Sequence, residues 1–250
     1  MKNAILIKNM NFFYGKKEIL KNINVEFQKN KFIGIIGPNG GGKTTLLKLL
    51  LGLLKPTSGQ IKLFGKDVNL VRNKIGYVPQ YNNFDFQFPI NVYDVVISGR
   101  LKFKNKFFPF YNKKDKEIVN KTLSLLGIKD LSKNPIKNLS GGQRKRAFIA
   151  RALVTDPELI ILDEPTSDID KKAEKNVYKL LKKLSKYKTI IMVSHDIGVI
   201  SSYIDGIACL NKELHYHNSN KITGKMLEQT YKCPVDIIAH GLPHRVLKNH

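Results

Sequence analysis

Hydrophobic positions along the chain form two patterns, short apolar runs and longer segments with helical spacing. The mainly apolar runs at residues 32–36, 159–164 and 189–194 predict strands that are buried on both faces. One helix face, with the spacing i, i+3, i+4 and i+7, is formed by Val177, Leu180, Leu181 and Leu184. Buried strands that alternate with amphipathic helices are typical of an α/β fold.

Three consecutive segments carry helical patterns with no strand pattern between them. They are residues 91–99, 113–126 and 141–154, and they predict a helical subdomain inserted in the core at about 88–154. Further strands are predicted at residues 1–7, 59–65, 206–210 and 213–217. The last two form a hairpin around Asn211-Lys212. Because the first strand meets a charged residue early and has no cleavage-type site, it is not expected to be a signal peptide.

A glycine-rich loop lies between the strand at 32–36 and a predicted helix. Its spacing matches G-x-x-x-x-G-K-[ST], the motif of a phosphate-binding loop. Glycines let backbone N–H groups surround phosphate oxygens, and the helix N-terminus adds its positive dipole end. Lys43 supplies a cation for the β- and γ-phosphates, and the Thr44 hydroxyl is placed to bind Mg²⁺. The candidate nucleotide-binding residues are Gly37, Pro38, Asn39, Gly40, Gly41, Gly42, Lys43, Thr44 and Thr45.

Two adjacent carboxylates end the apolar run that begins at Leu159. Asp163, at the strand end, is expected to hold Mg²⁺ through water. Glu164 is expected to point the other way by strand alternation, which places it to polarise an attacking water. A buried strand with a solvated acidic end is the alternative interpretation.

A second candidate cradle precedes the helix predicted at 141–154. A serine suited to cap a helix is followed there by two glycines, which can again surround a phosphate with backbone N–H groups. The residues concerned are Ser140, Gly141, Gly142 and Gln143. One nucleotide does not need two cradles. The simplest account is a head-to-tail homodimer, in which each second cradle closes over the nucleotide held by the other chain.

These motifs, in this order, resemble the ATP-binding cassette (ABC) subunit of a membrane transporter. The resemblance covers about residues 1–220 and implies ATP and Mg²⁺ as cofactors and ATP hydrolysis coupled to transport. Tyr14 matches the aromatic residue that stacks on adenine. Gln80 matches the glutamine that senses Mg²⁺ and the γ-phosphate, and His195 matches the switch histidine. Taken alone, these three could be a surface aromatic, a polar turn residue and a strand cap.

The resemblance also implies an architecture. It predicts an α/β fold with a P-loop ATPase core, a mixed sheet, an antiparallel β portion and an inserted α-helical subdomain. The nucleotide-binding domain is expected at residues 1–220 and a C-terminal tail at 221–250. Two residues depart from the family pattern: Lys145 replaces a glutamine, and Asp168 stands where a small residue is usual. Both bear on dimer contacts rather than on the chemistry.

Length, composition and net charge add information on the compartment and on possible partners. The chain has 250 residues, 42% of them hydrophobic, and no run of 18 apolar residues. Two cysteines do not make a disulfide framework, which favours a reducing cytosol. The net charge of +23 is compatible with nucleic acid or an anionic membrane surface. However, the lysines are spread along the whole chain, which favours a general compositional bias.

The segment Phe88–Val96 and the tail Cys233–Leu247 resemble the branch of the family that serves zinc and manganese importers. This implies separate membrane permease subunits, an extracytoplasmic metal-binding protein, and a peripheral position on the cytoplasmic face of a bacterial-type inner membrane. Phe84, Phe86 and Phe88 are expected to line a groove for a permease helix, or to belong to the helical core. The histidines and cysteine of the tail slightly favour zinc over manganese, if the tail binds metal at all.

The alternative is a soluble ABC-type ATPase that acts on nucleic acid or ribosomes. The net charge of +23 is compatible with this alternative. Chromosome-organising relatives separate the two cradles by a long coiled coil, which is absent here. Translation-type relatives usually carry two cassettes in one chain, and this chain has one. Transport is therefore preferred, and nucleic acid is not expected as a partner.

Overall fold

The computed structural model describes residues 3–80, 89–101, 111–166, 169–194 and 201–220. Its strands are β1 (Asn3–Tyr14), β2 (Lys17–Gln28), β3 (Phe32–Ile36), β4 (Ser58–Leu63), β5 (Lys66–Asp67), β6 (Ile75–Val78), β7 (Leu159–Asp163), β8 (Thr189–Val193), β9 (Gly206–Asn211) and β10 (Glu213–His217). Its α-helices are α1 (Lys43–Leu50), α2 (Val92–Ser98), α3 (Lys113–Leu125), α4 (Gly141–Leu153) and α5 (Lys171–Leu184).

The larger of two sheets has the strand order β10-β9-β3-β8-β7-β6. Neighbouring strands run parallel, apart from the antiparallel hairpin of β9 and β10. Strands β3, β7 and β8 are buried along their whole length, between two apolar clusters that cover opposite faces. Parallel strands end at the same edge of a sheet. The residues that follow β3, β6, β7 and β8 therefore meet at its carboxyl edge.

The smaller sheet is antiparallel, with the order β2-β1-β4-β5. Strands β1 and β2 form a long hairpin with several register shifts. Asn9, at one of them, has a left-handed φ of 47°, which asparagine tolerates better than most residues. A Cβ at Gly59 in β4 would lie 2.2 Å from the Asn9 carbonyl oxygen. Glycine therefore allows β4 to lie against the irregular part of β1.

Helices α2, α3 and α4 follow β6 in the described part of the chain and pack against one another and against the larger sheet. Asn112 and Asp115 form a reciprocal capping box at the start of α3. Buried Asp115 also accepts a hydrogen bond from Arg100 Nε at 3.0 Å. Arg100 Nη1 donates to the Val154 carbonyl at 3.3 Å. The Arg100 side chain, through this ion pair and this hydrogen bond, thus connects the end of α2 with the start of α3 and the end of α4.

The mixed sheet, the antiparallel portion and the three helices confirm the predicted fold class. The helices α2, α3 and α4 begin and end within one residue of their predicted bounds. The predicted hairpin at 206–217 is also present, with Lys212 at a left-handed φ of 61°. Strands β2, β5 and β6 lie outside the predicted elements. The alternation of β2 is interrupted by two consecutive exposed positions, Lys21 and Asn22, and β5 and β6 have only two and four residues. Within the described ranges, no helix is long and apolar enough to cross a membrane.

Candidate nucleotide site

The glycine-rich loop leaves the carboxyl end of β3 and enters α1. Glycine is required at position 37 by close packing against backbone, and it is favoured at position 42 by a left-handed φ of 97°. A Cβ at Gly37 would lie 1.9 Å from the carbonyl oxygen of Leu210, and a Cβ at Gly42 would lie 2.6 Å from the side chain of Leu20. A Cβ at Gly40 would meet no atom within 4 Å. The loop is therefore packed against protein on one side and open on the other, as a backbone cradle for phosphate requires.

A backbone brace connects this loop to both sheets. The N–H of Lys212, in the turn between β9 and β10, donates to the Gly41 carbonyl at 3.1 Å. The Lys212 carbonyl accepts from the N–H of Lys21 in β2 at 2.9 Å. Sequence patterns predict the hairpin but missed this contact, because a backbone hydrogen bond constrains residue type very little. The brace fixes the loop relative to the antiparallel sheet that carries Tyr14.

Lys43 is a buried cation at the centre of the site. Its Nζ donates to the carbonyl oxygens of Gly37 and Pro38, each at 2.9 Å. Burial lowers the pKa of the Lys43 ammonium, and the charges of Glu164 and Asp163 act in the opposite direction. An ammonium that has lost much of its hydration gains most from a further negative charge. Lys43 is therefore suited to bind phosphate at the open side of the loop.

The two predicted carboxylates follow each other at the end of β7, where Asp163 is its last residue and is buried. The predicted strand alternation does not hold at Glu164, because the strand has already ended at Asp163. Glu164 instead has a left-handed φ of 48°, and its N–H donates to the Val193 carbonyl at 3.1 Å. A left-handed, non-glycine residue stores strain, and such residues cluster at functional sites.

Gln80 and Glu164 lie in contact, although 84 residues separate them in the sequence. Gln80 Nε2 donates to Glu164 Oε2 at 2.7 Å. The contact arises because β6 and β7 are parallel neighbours, so the residues after both strands lie at one edge. Tyr77, on β6, is affected by the same carboxyl edge. Burial, and secondarily the charge of Asp163, raises the pKa of its hydroxyl to about 12.

The second cradle is built by the cap of α4. Ser140 Oγ accepts from the Gln143 N–H at 3.3 Å, and Gln143 Oε1 accepts from the Ser140 N–H at 3.0 Å. This capping box orients the first turn of α4 and leaves Ser140 exposed. A Cβ at Gly142 would lie 2.7 Å from Cβ of Ala173. Glycine there allows α4 to pack closely against the start of α5.

The remaining predicted site residues divide into two groups. Tyr14 ends β1 with 46% of its surface exposed and its ring edge-on to Phe12 at 4.9 Å. Asn39 and Thr44 are exposed and Thr45 is partly buried, as residues beside a ligand on the open side of the loop would be. The predictions for His195, Phe84, Phe86, Phe88, Asp168 and the 221–250 tail lie outside the described residues.

The described residues fit a magnesium nucleotide. The phosphate cradle, the buried Lys43 and the carboxylate of Asp163 lie at one sheet edge. Mg²⁺ prefers oxygen ligands and is usually bound by one or two carboxylates together with substrate phosphates. The hydroxyl of Thr44, the carboxylate of Asp163 and the amide oxygen of Gln80 supply that chemistry.

Residues 20–167 match the family model described as "ABC transporter", which spans more than half of the chain. The chain belongs to the ABC transporter family. Membership establishes it as a nucleotide-binding ATPase subunit, in agreement with the cradle and carboxylates described above.

Relatives of this ABC subunit extend the match over most of its length. The zinc uptake system ATP-binding protein ZurA of Listeria monocytogenes is 42% identical over 88% of this chain and 87% of its own. The manganese transport system ATP-binding protein MntB of Halalkalibacterium halodurans is 40% identical over 93% of each chain.

Solved structures agree with the fold. A metal-chelate type ABC transporter in an inward-facing conformation superposes with a TM-score of 0.84 at 30% identity, over 94% of this chain and 91% of that chain. An ATP-binding cassette in a dimeric post-hydrolysis state, bound to ADP and Pi, gives a TM-score of 0.70 at 28% identity over 87% of this chain and all of that chain.

Proposed function

We propose that this chain is the ATP-hydrolysing subunit of an ABC importer that takes up a divalent metal ion, zinc or manganese. The observation that supports the substrate class is the pair of relatives named for zinc uptake and manganese transport. Each is at least 40% identical to this chain over 88% or more of its length. The buried lysine, the carboxylate pair and the glycine cradle support the ATPase step.

In the proposed site, Lys43 binds the β- and γ-phosphates above the loop carbonyls that orient its Nζ. Thr44 and Asp163 hold Mg²⁺, which neutralises charge on the phosphates during phosphoryl transfer. Glu164 acts as the general base that orients and polarises the attacking water. Tyr14 stacks on the adenine ring. His195 is proposed to act as the switch histidine of the family.

The two polar atoms of the Gln80 amide, Nε2 and Oε1, can bind different groups. Its Nε2 donates to Glu164 at 2.7 Å, which leaves its Oε1 free to serve as a ligand of Mg²⁺. Binding of Mg²⁺ and ATP at the Gln80 Oε1 can therefore change the position of Glu164, the proposed general base, through the same side chain. We assign Gln80 this linking role because it is exposed and lies two residues beyond the end of the edge strand β6.

We propose that two copies of the chain act as a head-to-tail dimer. The second cradle supports this arrangement, because Ser140 is exposed at the start of α4 and one nucleotide does not need two cradles. The related cassette described as dimeric with ADP and Pi gives further support. In the proposed dimer, Ser140, Gly141, Gly142 and Gln143 contact the nucleotide held by the partner's loop.

Mixing two inactive variants tests the dimer. Lys43→Ala damages the phosphate loop, and Ser140→Arg blocks the second cradle. In a head-to-tail heterodimer one site carries both defects and the other carries neither. A 1:1 mixture should therefore recover about one quarter of the wild-type ATPase rate, since half of the dimers are mixed and each has one intact site.

The two variants assayed separately are the controls, and each should remain inactive. If the second cradle acted within its own chain, every site in the mixture would carry one defect. Complete inactivity of the mixture would then count against the head-to-tail arrangement, provided that one intact site can turn over alone.

The proposed partners are integral membrane permease subunits, served indirectly by an extracytoplasmic metal-binding protein. The chain would lie at the cytoplasmic face of the membrane as a peripheral subunit. We propose that residues 1–220 form the nucleotide-binding domain, with the helical subdomain at about 88–154 inserted in it. The packing of α2, α3 and α4 against one another supports that division.

Cells that lack the chain should fail to grow when zinc or manganese is limiting, and excess ion should rescue them. The measurement is total cellular zinc and manganese by elemental analysis, with zinc expected to fall more than manganese. A deficit in iron or cobalamin instead, with zinc and manganese unchanged, would overturn the substrate while leaving the ATPase site untouched. Ribosomal RNA bound to the purified chain, without a membrane protein, would favour the soluble alternative.

A further inference from the structure

The side chain of Tyr178, on α5, is the largest fully buried side chain in the described part of the chain. Its ring stacks on Tyr203, with centroids 5.4 Å apart and planes 10° from parallel. Apolar packing accounts for the ring but not for the hydroxyl. A buried hydroxyl costs free energy unless it has a hydrogen-bond partner.

The Tyr178 hydroxyl lies between two loops at the carboxyl edge of the larger sheet. Its oxygen is 3.3 Å from Thr166 Oγ1 and 3.5 Å from Ser194 Oγ. Thr166 is the second residue after Glu164, the proposed general base. Ser194 follows β8 and directly precedes His195 in the sequence. One buried hydroxyl thus contacts the two segments that carry the proposed hydrolytic residues.

Backbone contacts bring the same two segments together. Asp163 and Val193 are paired at the ends of β7 and β8. The next residue of each strand is also tied down: the Glu164 N–H donates to the Val193 carbonyl at 3.1 Å, and the Ser194 N–H donates to the Ile35 carbonyl at 3.2 Å. Strand β7 ends at Asp163 and β8 ends at Val193. Past these two ends, the Tyr178 hydroxyl adds a side-chain link between Thr166 and Ser194.

We propose that Tyr178 is a positioning residue for ATP hydrolysis, whose hydroxyl holds the loop after Glu164 and the residue before His195 in a fixed relation. The proposal rests on the proposed ATPase function and deepens it. Tyr178, Thr166 and Ser194 each carry a hydroxyl that both donates and accepts, so the three can form a chain of hydrogen bonds. Contacts of 3.3 to 3.5 Å are long for O–H···O bonds. Bonds of this kind commonly tighten in the substrate complex.

Tyr178→Phe removes the hydroxyl and keeps the ring stack. The full-length variant is expected to bind ATP with unchanged Kd and to show an unchanged KM, while kcat falls about fivefold, the scale of one lost hydrogen bond. Thr166→Val should lower kcat similarly, and Thr166→Ser should retain it. Tyr178→Phe combined with Thr166→Val should lose no more than Tyr178→Phe alone, because the Thr166 contact is already lost when the tyrosine hydroxyl is removed.

Tyr203→Phe is the matched control, since it removes a hydroxyl from the other ring of the stack. Its kcat should equal that of the wild type. A Tyr178→Phe variant with wild-type kcat but a lower melting temperature would overturn the proposal, because the hydroxyl would then serve stability alone. An equal loss in Tyr203→Phe, or a parallel loss of ATP affinity in Tyr178→Phe, would overturn it too.

ATP hydrolysis by the wild-type chain distinguishes a failure of the Tyr178 proposal from a failure of the proposed ATPase function. If it hydrolyses ATP and only the Tyr178 predictions fail, the ATPase assignment stands and the positioning role does not. If the wild-type chain binds ATP without hydrolysing it under any condition, both fall together.

Discussion

Glu164→Gln is expected to keep ATP bound while lowering turnover about 10²-fold or more, because an amide does not take up the proton of the attacking water. Glutamine has the size of glutamate, and its Oε1 can still accept the hydrogen bond from Gln80. The site should therefore keep its shape. With ATP held and not consumed, two chains should stay together. Size-exclusion chromatography in Mg²⁺-free ATP should show twice the mass of the 28.5 kDa chain.

Glu158→Gln is the matched control for this change. Glu158 precedes β7 at its amino end, whereas Glu164 follows β7 at its carboxyl end, and it forms exposed ion pairs with Lys29 and Lys74. Exposed pairs contribute little, so turnover should be unchanged. Normal hydrolysis by the Glu164→Gln variant would contradict the assignment of the general base and transfer the role to another residue, with His195 as the first candidate.

Lys43→Ala is expected to abolish tight ATP binding. The ammonium is buried, and burial lowers its pKa, so its charged form is poorly solvated in the free protein. Phosphate oxygens supply the missing negative charge, and hydrogen bonds between charged partners contribute about 1.5–3 kcal/mol each. Calorimetry should show a Kd for ATP raised about 10²-fold, which corresponds to roughly 2.7 kcal/mol.

Lys48→Ala controls for the loss of a positive charge from α1. Lys48 lies on the same helix but is exposed, and it is in the last turn of α1, whereas Lys43 is in the first. Its removal should leave the Kd for ATP nearly unchanged. Unchanged affinity in Lys43→Ala itself would show that the phosphates bind elsewhere.

Much of this site could be predicted from the sequence, because its chemistry depends on residue types at fixed local spacing. The loop from Gly37 to Thr45 needs glycines, a lysine and a hydroxyl in one order, and such a pattern is visible without a structure. The helices of the inserted segment were predicted within one residue for a similar reason. Their apolar positions recur with the period of a helix, and polar caps such as Asn112 and Ser140 mark where they begin.

Other features depend on contacts between distant parts of the chain. The Lys212–Gly41 brace and the Gln80–Glu164 hydrogen bond are set by which strands lie side by side. The left-handed backbone of Glu164 is likewise imposed by its surroundings rather than by its residue type, which is why strand alternation failed there. The Tyr178 hydroxyl gave no sequence signal, since an aromatic on an apolar helix face usually belongs to the core.

The central claim is that ATP hydrolysis at the site of Lys43 and Glu164 drives uptake of zinc or manganese. The most direct test measures uptake of radioactive zinc and manganese by cells that lack the chain and carry either the wild-type chain or Glu164→Gln, at equal expression. Restored uptake of at least one of the two ions with the wild-type chain alone is the predicted result. Equal uptake with both chains, or no uptake of either ion with the wild-type chain, would contradict it.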